Sequence, residues 1–239
     1  MIFRIIWFAV ILAIAEITAG VQFDLQVRRT PANAVAVPAP FRSAAQFQIA
    51  TNAIEAGDPT VALAEARLLV ARRPVPAEHL TVLAVAQVRA EQAEAGSETI
   101  QYAARRGLRD PVAQEAMLRL AVAAGDMPEA AHRYTALFLR DSTEDALLEE
   151  LSKAVFSESG GAGQQTLITI LSQTDRWPAT FLRRGFRVMA PATFVDITTG
   201  SIAKGVQFDG KLLEQTVTAV SRRDAQQGSR LAASVTPVC

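Results

Sequence analysis

The side chains that could do chemistry are few and far apart. Two histidines, His79 and His132, and one cysteine, Cys239, are the whole stock of imidazole and thiol. That stock excludes an intrachain disulfide framework and leaves little for a zinc site. Neither histidine lies in a His-Glu-x-x-His pair, and no Gly-x-Ser-x-Gly elbow presents a nucleophile. His132 stands next to Arg133 beside an apolar stripe, the setting of a solvated or half-buried ring. Gly160-Gly161-Ala162-Gly163 has the glycines of a phosphate loop. It lacks the lysine and hydroxyl that contact phosphate and Mg²⁺, and it follows a helix rather than a strand. Glu144-Asp145 and Glu149-Glu150 are adjacent carboxylates, and neighbours in sequence do not share a helix face. Cys239 has no partner thiol and no defined role. The inventory predicts no catalytic residue, no metal site and no cofactor. The chain is expected not to be an enzyme.

The elements that must carry these residues are helical. Half of the 239 residues are apolar, only 6% are aromatic, and alanine is abundant. This composition favours close-packed helices over sheets. Basic and acidic residues balance at 24 each, which argues against a bulk nucleic-acid binder or a polybasic membrane-surface protein. The balance hides an asymmetry. Residues 1–42 carry +2, 43–175 carry −7 and 176–239 carry +5. An acidic body and a basic tail could meet each other or a partner of opposite charge, and the tail is a local exception to the exclusion of nucleic acid.

Ile5 to Phe23 is an apolar run of 19 residues with one charge, Glu16. Such a run spans a hydrocarbon core of about 30 Å. Arg4 suits one interface and Trp7 the headgroup belt. Glu16 is costly inside a bilayer. A cleaved signal peptide removes that cost, with Ala13-Ile14-Ala15 as the small-residue motif before the cut. Residues 1–23 are therefore read as a transmembrane anchor or a signal peptide. The expected location is the inner membrane, single-pass, with the body facing the periplasm; the alternative is secretion to the periplasm after cleavage. Residues 24–42, with Pro31, Pro38 and Pro40, predict an extended Pro/Ala-rich linker that holds the body clear of the headgroups.

Beyond Ser43 helices alternate with short turns. Gly57-Asp58-Pro59 is a left-handed stop, a cap and an N1 proline. Gly125-Asp126 repeats it 68 residues later, twice a 34-residue period, and Glu129 adds a capping-box pattern. A middle unit carries Leu80, Leu83, Ala84 and Val88 in its first helix, with Gly96-Ser97 predicted as its turn. Asp110-Pro111 opens the next pair. These residues resemble the tetratricopeptide repeat family over about residues 43–142. Ala62 and Ala130 occupy the family's small position, Tyr134 its bulky aromatic one, and Pro74 its closing proline. Gln46 and Gln114 stand where the family has a large aromatic, and the third unit ends at Ser142 rather than at proline.

The expected fold is all-α, a tetratricopeptide-like helix–turn–helix solenoid with an N-terminal transmembrane helix. Repeats would occupy 43–190 and a C-terminal helical cap with the basic tail 191–239. Further helices are read at 143–156, 165–171, from Trp177, at 191–197 and at 211–223, with Gly200, Gly205 and Gly210 as breaks. The string Gly-Val-Gln-Phe-Asp recurs at 20–24 and 205–209, in contexts so different that coincidence is the reading.

The resemblance implies a concave surface built from first helices that holds a peptide segment of a partner. Its polar candidates are Thr51, Glu55, Glu115 and Arg119. The expected function is a non-enzymatic protein–protein interaction scaffold of the bacterial cell envelope. Its partners would be a protein of unknown identity within an envelope assembly complex, and the inner membrane through the N-terminal helix, with no nucleic acid. The alternative is an accessory factor in envelope polysaccharide or cell-wall assembly. Sugar grooves usually offer aromatic platforms, and beyond phenylalanine this chain has only Trp7, Trp177, Tyr102 and Tyr134.

Overall fold

The computed structural model describes residues 2–235, which are helical with no strand among them. Cys239 lies outside the described residues. The chain forms two compact units, one ending at Ala113 and the other beginning at Gln114.

In the first unit, α1 (Ile2–Gln26) is a single apolar helix, long and apolar enough to cross a membrane or to be a signal sequence. Every side chain from Ile2 to Ala19 is exposed, Glu16 included, over about 27 Å of helix. Burial begins at Gly20, where an added Cβ would stand 2.5 Å from the Phe41 ring.

Residues 24–42 are not the extended linker that their prolines predict. Helix α1 continues to Gln26, and two 3₁₀ turns follow at Pro31–Ala36 and Ala39–Phe41. Val27, Ala34 and Val37 bury their side chains with Ala45, flanked by half-buried Phe23, Phe41 and Ile49. The physical reason is that proline's fixed φ suits the first turn of a tight helix as well as it suits extended chain. The fold-back brings Asp24, 4% exposed, onto the start of α2 (Ala44–Ala56). Its carboxylate accepts the backbone N–H groups of Ser43, Ala44 and Ala45 at 2.8, 2.9 and 2.9 Å. Ser43, the local N-cap residue, makes no capping bond of its own.

Helix pairs follow: α2 with α3 (Pro59–Arg72), and α4 (Ala77–Arg89) with α5 (Ala93–Arg106). Gly57 ends α2 in the left-handed region, and the Asp58 carboxylate accepts from Thr60 and Val61 ahead of Pro59. Between α4 and α5 the turn is not at Gly96-Ser97, which lie inside α5. Glu91 makes it, at φ +60°. The left-handed residues ahead of α3, α5 and α7 (Met127–Phe138) are thus 57, 91 and 125, each 34 after the last, and these helices begin at 59, 93 and 127; the later left-handed glycines, 160 and 205, do not keep that interval. In sequence Gly96 resembles a turn residue because glycine is the usual punctuation. Its actual register is that of Ala62 and Ala130, each a buried small residue early in a second helix. A Cβ there would meet Val88 Cγ2 at 2.6 Å and the Ala84 carbonyl oxygen at 3.1 Å.

Arginines at the ends of second helices tie down preceding loops. Arg72 donates to the Arg42 carbonyl and Arg106 to the Pro74 carbonyl, both at 3.0 Å. At Asp126 only half of a capping box forms. The carboxylate accepts the Glu129 N–H at 3.1 Å, but the Glu129 side chain pairs with Arg133 at 2.6 Å instead of returning to the cap.

The unit boundary falls within α6 (Pro111–Ala123). The second unit continues with α7, α8 (Asp145–Val155), α9 (Ala162–Ser172), α10 (Trp177–Val188), α11 (Pro191–Ala203), α12 (Gly210–Arg223) and α13 (Ala225–Val235). One core runs from Leu118 to Leu231. Tyr134 meets Phe156 edge-on at 4.9 Å, and Phe181 stacks on Phe194 at 5.2 Å. The predicted boundary at 190/191 passes through this core, since Val188, Met189, Phe194 and Val195 are all buried. Gly200 does not break the chain; it lies within α11, where a Cβ would stand 2.5 Å from Ile168 Cδ1. Arg184 holds the α7–α8 loop, donating to the carbonyls of Phe138, Arg140 and Thr143 and to the Asp145 carboxylate.

Candidate functional site

Two of the helix pairs, α2–α3 and α6–α7, are each bridged by a buried glutamine. Gln46, fully buried in α2, donates through Nε2 to the Glu65 carboxylate at 2.6 Å, 19 residues on. Gln114, fully buried in α6, accepts from Arg133 at 2.9 Å, again 19 residues on. Buried amides need such partners, and here each is a bond to the neighbouring helix.

The four partner-contact candidates separate into two pairs. Thr51 and Glu55 lie four apart on α2 in the first unit. Thr51 is half-buried and its hydroxyl donates to the Phe47 carbonyl at 2.9 Å, whereas Glu55 is exposed. Glu115 and Arg119 lie four apart on α6 in the second unit. Arg119 bridges Glu115 and Glu150, both at 2.9 Å. The hydrogen bond to Glu115, then that to Glu150, holds its guanidinium above the ordinary arginine range. Such an exposed triad is worth about 1 kcal/mol or less, so these groups are available to a partner at small cost.

The aromatic candidates do not build a sugar platform. Tyr134 is fully buried, Trp177 packs against the core of its unit, and Trp7 lies on α1. Burial pushes the Tyr134 phenol far above its ordinary range, and its hydroxyl has no hydrogen-bond partner among the described residues. Tyr102 alone of the four is an exposed ring outside α1.

Sequence reading missed a cleft at the foot of α1. About 440 Å³ in volume, it lies in the first unit between the 3₁₀ segment, α2 and the start of α4. Arg28, Ser43, Phe47, Arg73, Glu78 and His79 line it. His79 is 5% exposed, its Nδ1 lies 2.9 Å from the Arg73 carbonyl oxygen, and its ring sits 5.6 Å from that of Phe47. A carbonyl only accepts, so Nδ1 carries the proton and the ring serves as a packing strut. Arg73 donates to Ser43 Oγ at 3.0 Å, whereas the exposed Arg28 side chain has no partner among the described residues. The cleft exists because residues 24–42 fold back, and nothing in the local pattern of prolines announces that.

The string shared by 20–24 and 205–209 acquires a physical meaning. Both aspartates cap helices: Asp24 caps α2 across 19 residues, and Asp209 caps α12 locally, accepting from Leu212 at 2.7 Å. The glycines differ, Gly20 being a packing site in α1 and Gly205 a turn residue at φ +85°.

No family model, curated protein or solved structure matches this chain.

Proposed function

We propose that this chain is a membrane-anchored, non-enzymatic scaffold of the cell envelope that presents tetratricopeptide-like helix pairs to a partner protein. The observation that carries the reading is the strict spacing of left-handed turns at 57, 91 and 125 behind an exposed apolar helix. Repetition of one helix pair at a fixed interval is how solenoids build extended binding surfaces. The small residues Ala62, Gly96 and Ala130 recur at the same interval, as the close approach of paired helices requires. The presenting surface is assigned to Thr51, Glu55, Glu115 and Arg119, and the helical body to the periplasmic side of the inner membrane. His79 is held by a carbonyl and an aromatic ring, and His132 is exposed on α7, arrangements that suit structural and solvated roles.

Photo-crosslinking in intact cells tests the surface. A crosslinker at Glu55 or Arg119 should capture the same protein, while one at exposed Gln215 on α12 should not. Equal capture from all three positions, or none from the first two, removes this surface. Digestion of the tail only from the cytoplasmic side would overturn the orientation. A turnover abolished by His79→Ala or His132→Ala would overturn the non-enzymatic reading.

A further inference from the structure

The cleft at the foot of α1 has the position and the charge of a phospholipid headgroup site; this inference rests on the membrane-anchored reading above. From Arg4 to Gln26, the last residue of α1, the helix rises about 33 Å, with Arg28 in the turn that follows, against about 30 Å of hydrocarbon and 40–45 Å with headgroups. A helix that places Arg4 in one headgroup layer therefore places Arg28 in the other. The body is not held away from that layer. Phe41 packs on Gly20 and Asp24 caps α2, so the cleft stands where the bilayer surface would be.

The charge of the lining selects the ligand. Arg28 and Arg73 face one lining carboxylate, Glu78, while the Nδ1–H of His79 is taken up by the Arg73 carbonyl, so guanidinium groups outnumber carboxylates in the lining by one. A phosphodiester carries one negative charge, whereas a free phosphate or a phosphomonoester carries closer to two at neutral pH. Planar guanidinium forks suit phosphate oxygens, and Ser43 Oγ, which accepts from Arg73, keeps its own proton to donate. Arg42 and Arg72, which stand close by, are already committed. Arg42 donates to the Val37 and Val35 carbonyls and Arg72 to the Arg42 carbonyl. We propose that this cleft binds the phosphodiester of a membrane phospholipid through Arg28, Arg73 and Ser43, fixing the body against the bilayer surface.

Native mass spectrometry of the full-length chain released from phospholipid nanodiscs tests this. The unaltered chain should retain one phospholipid. Arg28→Gln, which removes an exposed side chain without internal partners, should lower that retention about tenfold. Arg29→Gln, outside the cleft, should leave it unchanged. Arg73→Gln should also lower it, with circular dichroism confirming that the helices persist. Equal losses for Arg28→Gln and Arg29→Gln would reduce the effect to general attraction between cations and lipid, and overturn the site. Displacement of the lipid by millimolar inorganic phosphate would assign the cleft to free anions and overturn the lipid as ligand. Alkaline extraction of cell membranes separates the two readings. A chain released as soluble protein refutes the anchor, whereas an integral chain without Arg28-dependent lipid refutes the cleft alone.

Discussion

Replacing Asp24 with alanine should release the fold-back between α1 and the helical body. Its carboxylate accepts three backbone N–H groups at the start of α2 and is almost fully buried. Loss of an N-cap costs about 1–2 kcal/mol. The Ala45 N–H, in a fully buried residue, would add about 1–3 kcal/mol when left without an acceptor. Ser43 and Ala44 are half-buried and can recruit water, so their contribution is small. The expected total is about 3 kcal/mol, which is about a hundredfold in the local opening equilibrium. Asp24→Asn keeps Oδ1, the acceptor for Ser43 and Ala45, but turns an amide donor toward the Ala44 N–H and removes the anion from the helix terminus. Its cost should be about half. Amide exchange of the full-length chain in detergent is the assay. Exchange at Ala44 and Ala45 should accelerate by about a hundredfold in Asp24→Ala and about tenfold in Asp24→Asn, with protease cutting newly admitted between Arg28 and Arg42. Glu16→Ala, on the exposed stretch of α1, is the control and should change neither. Unchanged exchange and protease resistance in Asp24→Ala would refute the cap and return residues 24–42 to a tether.

Other substitutions probe the turns, the packing and the second core. Glu91 is an L-residue at φ +60°, so Glu91→Gly should raise the stability measured by thermal melting by about 0.5–1 kcal/mol. Gly96→Ala should lower it by about 1–3 kcal/mol, because the new methyl meets Val88 and the Ala84 carbonyl; an unshifted melt would show that α4 and α5 separate freely. Tyr134→Phe removes a buried hydroxyl without a partner among the described residues, so stability should hold or rise by up to about 1 kcal/mol. The same phenol titrates in the unfolded chain near its ordinary value of about 10 but stays protonated when folded. Its contribution to stability is therefore undiminished below about pH 10 and declines above it, a decline that Tyr134→Phe should abolish in melts across alkaline pH. Arg184→Met leaves the Phe138, Arg140 and Thr143 carbonyls without their donor and should cost about 3–5 kcal/mol, visible as accelerated amide exchange across the α7–α8 loop.

The helices were legible wherever a cap and a period coincided. Gly57-Asp58-Pro59 combines a left-handed stop, a carboxylate acceptor and a pre-set φ, and each constrains only its immediate neighbours. The apolar run of α1 needed no neighbours at all. The misread positions are those where a residue type serves two purposes. Glycine at 96 and at 200 signals a turn locally, but both sites lie inside helices and are small because another side chain stands within 3 Å of where a Cβ would be. The turn itself fell to Glu91, an exposed residue with no turn signature. Of the candidate surface residues, the pairing of Glu115 with Arg119 follows from their spacing on one helix, but the bond from Arg119 to Glu150 spans 31 residues.

Local chemistry alone was enough for the helical class, the apolar N-terminal helix and the capped turns at 57–59 and 125–126, because helix hydrogen bonds, caps and amphipathic stripes act within a few residues. Tertiary contact decided what the prolines between 31 and 40 become, where Asp24 finds its donors and whether a cleft forms beneath α1. Those outcomes depend on groups about 20 residues apart meeting at van der Waals distance. Once Phe41 reaches Gly20 and Ala45 reaches Asp24, the buried apolar surface and the satisfied N–H groups outweigh the entropy of a free tether.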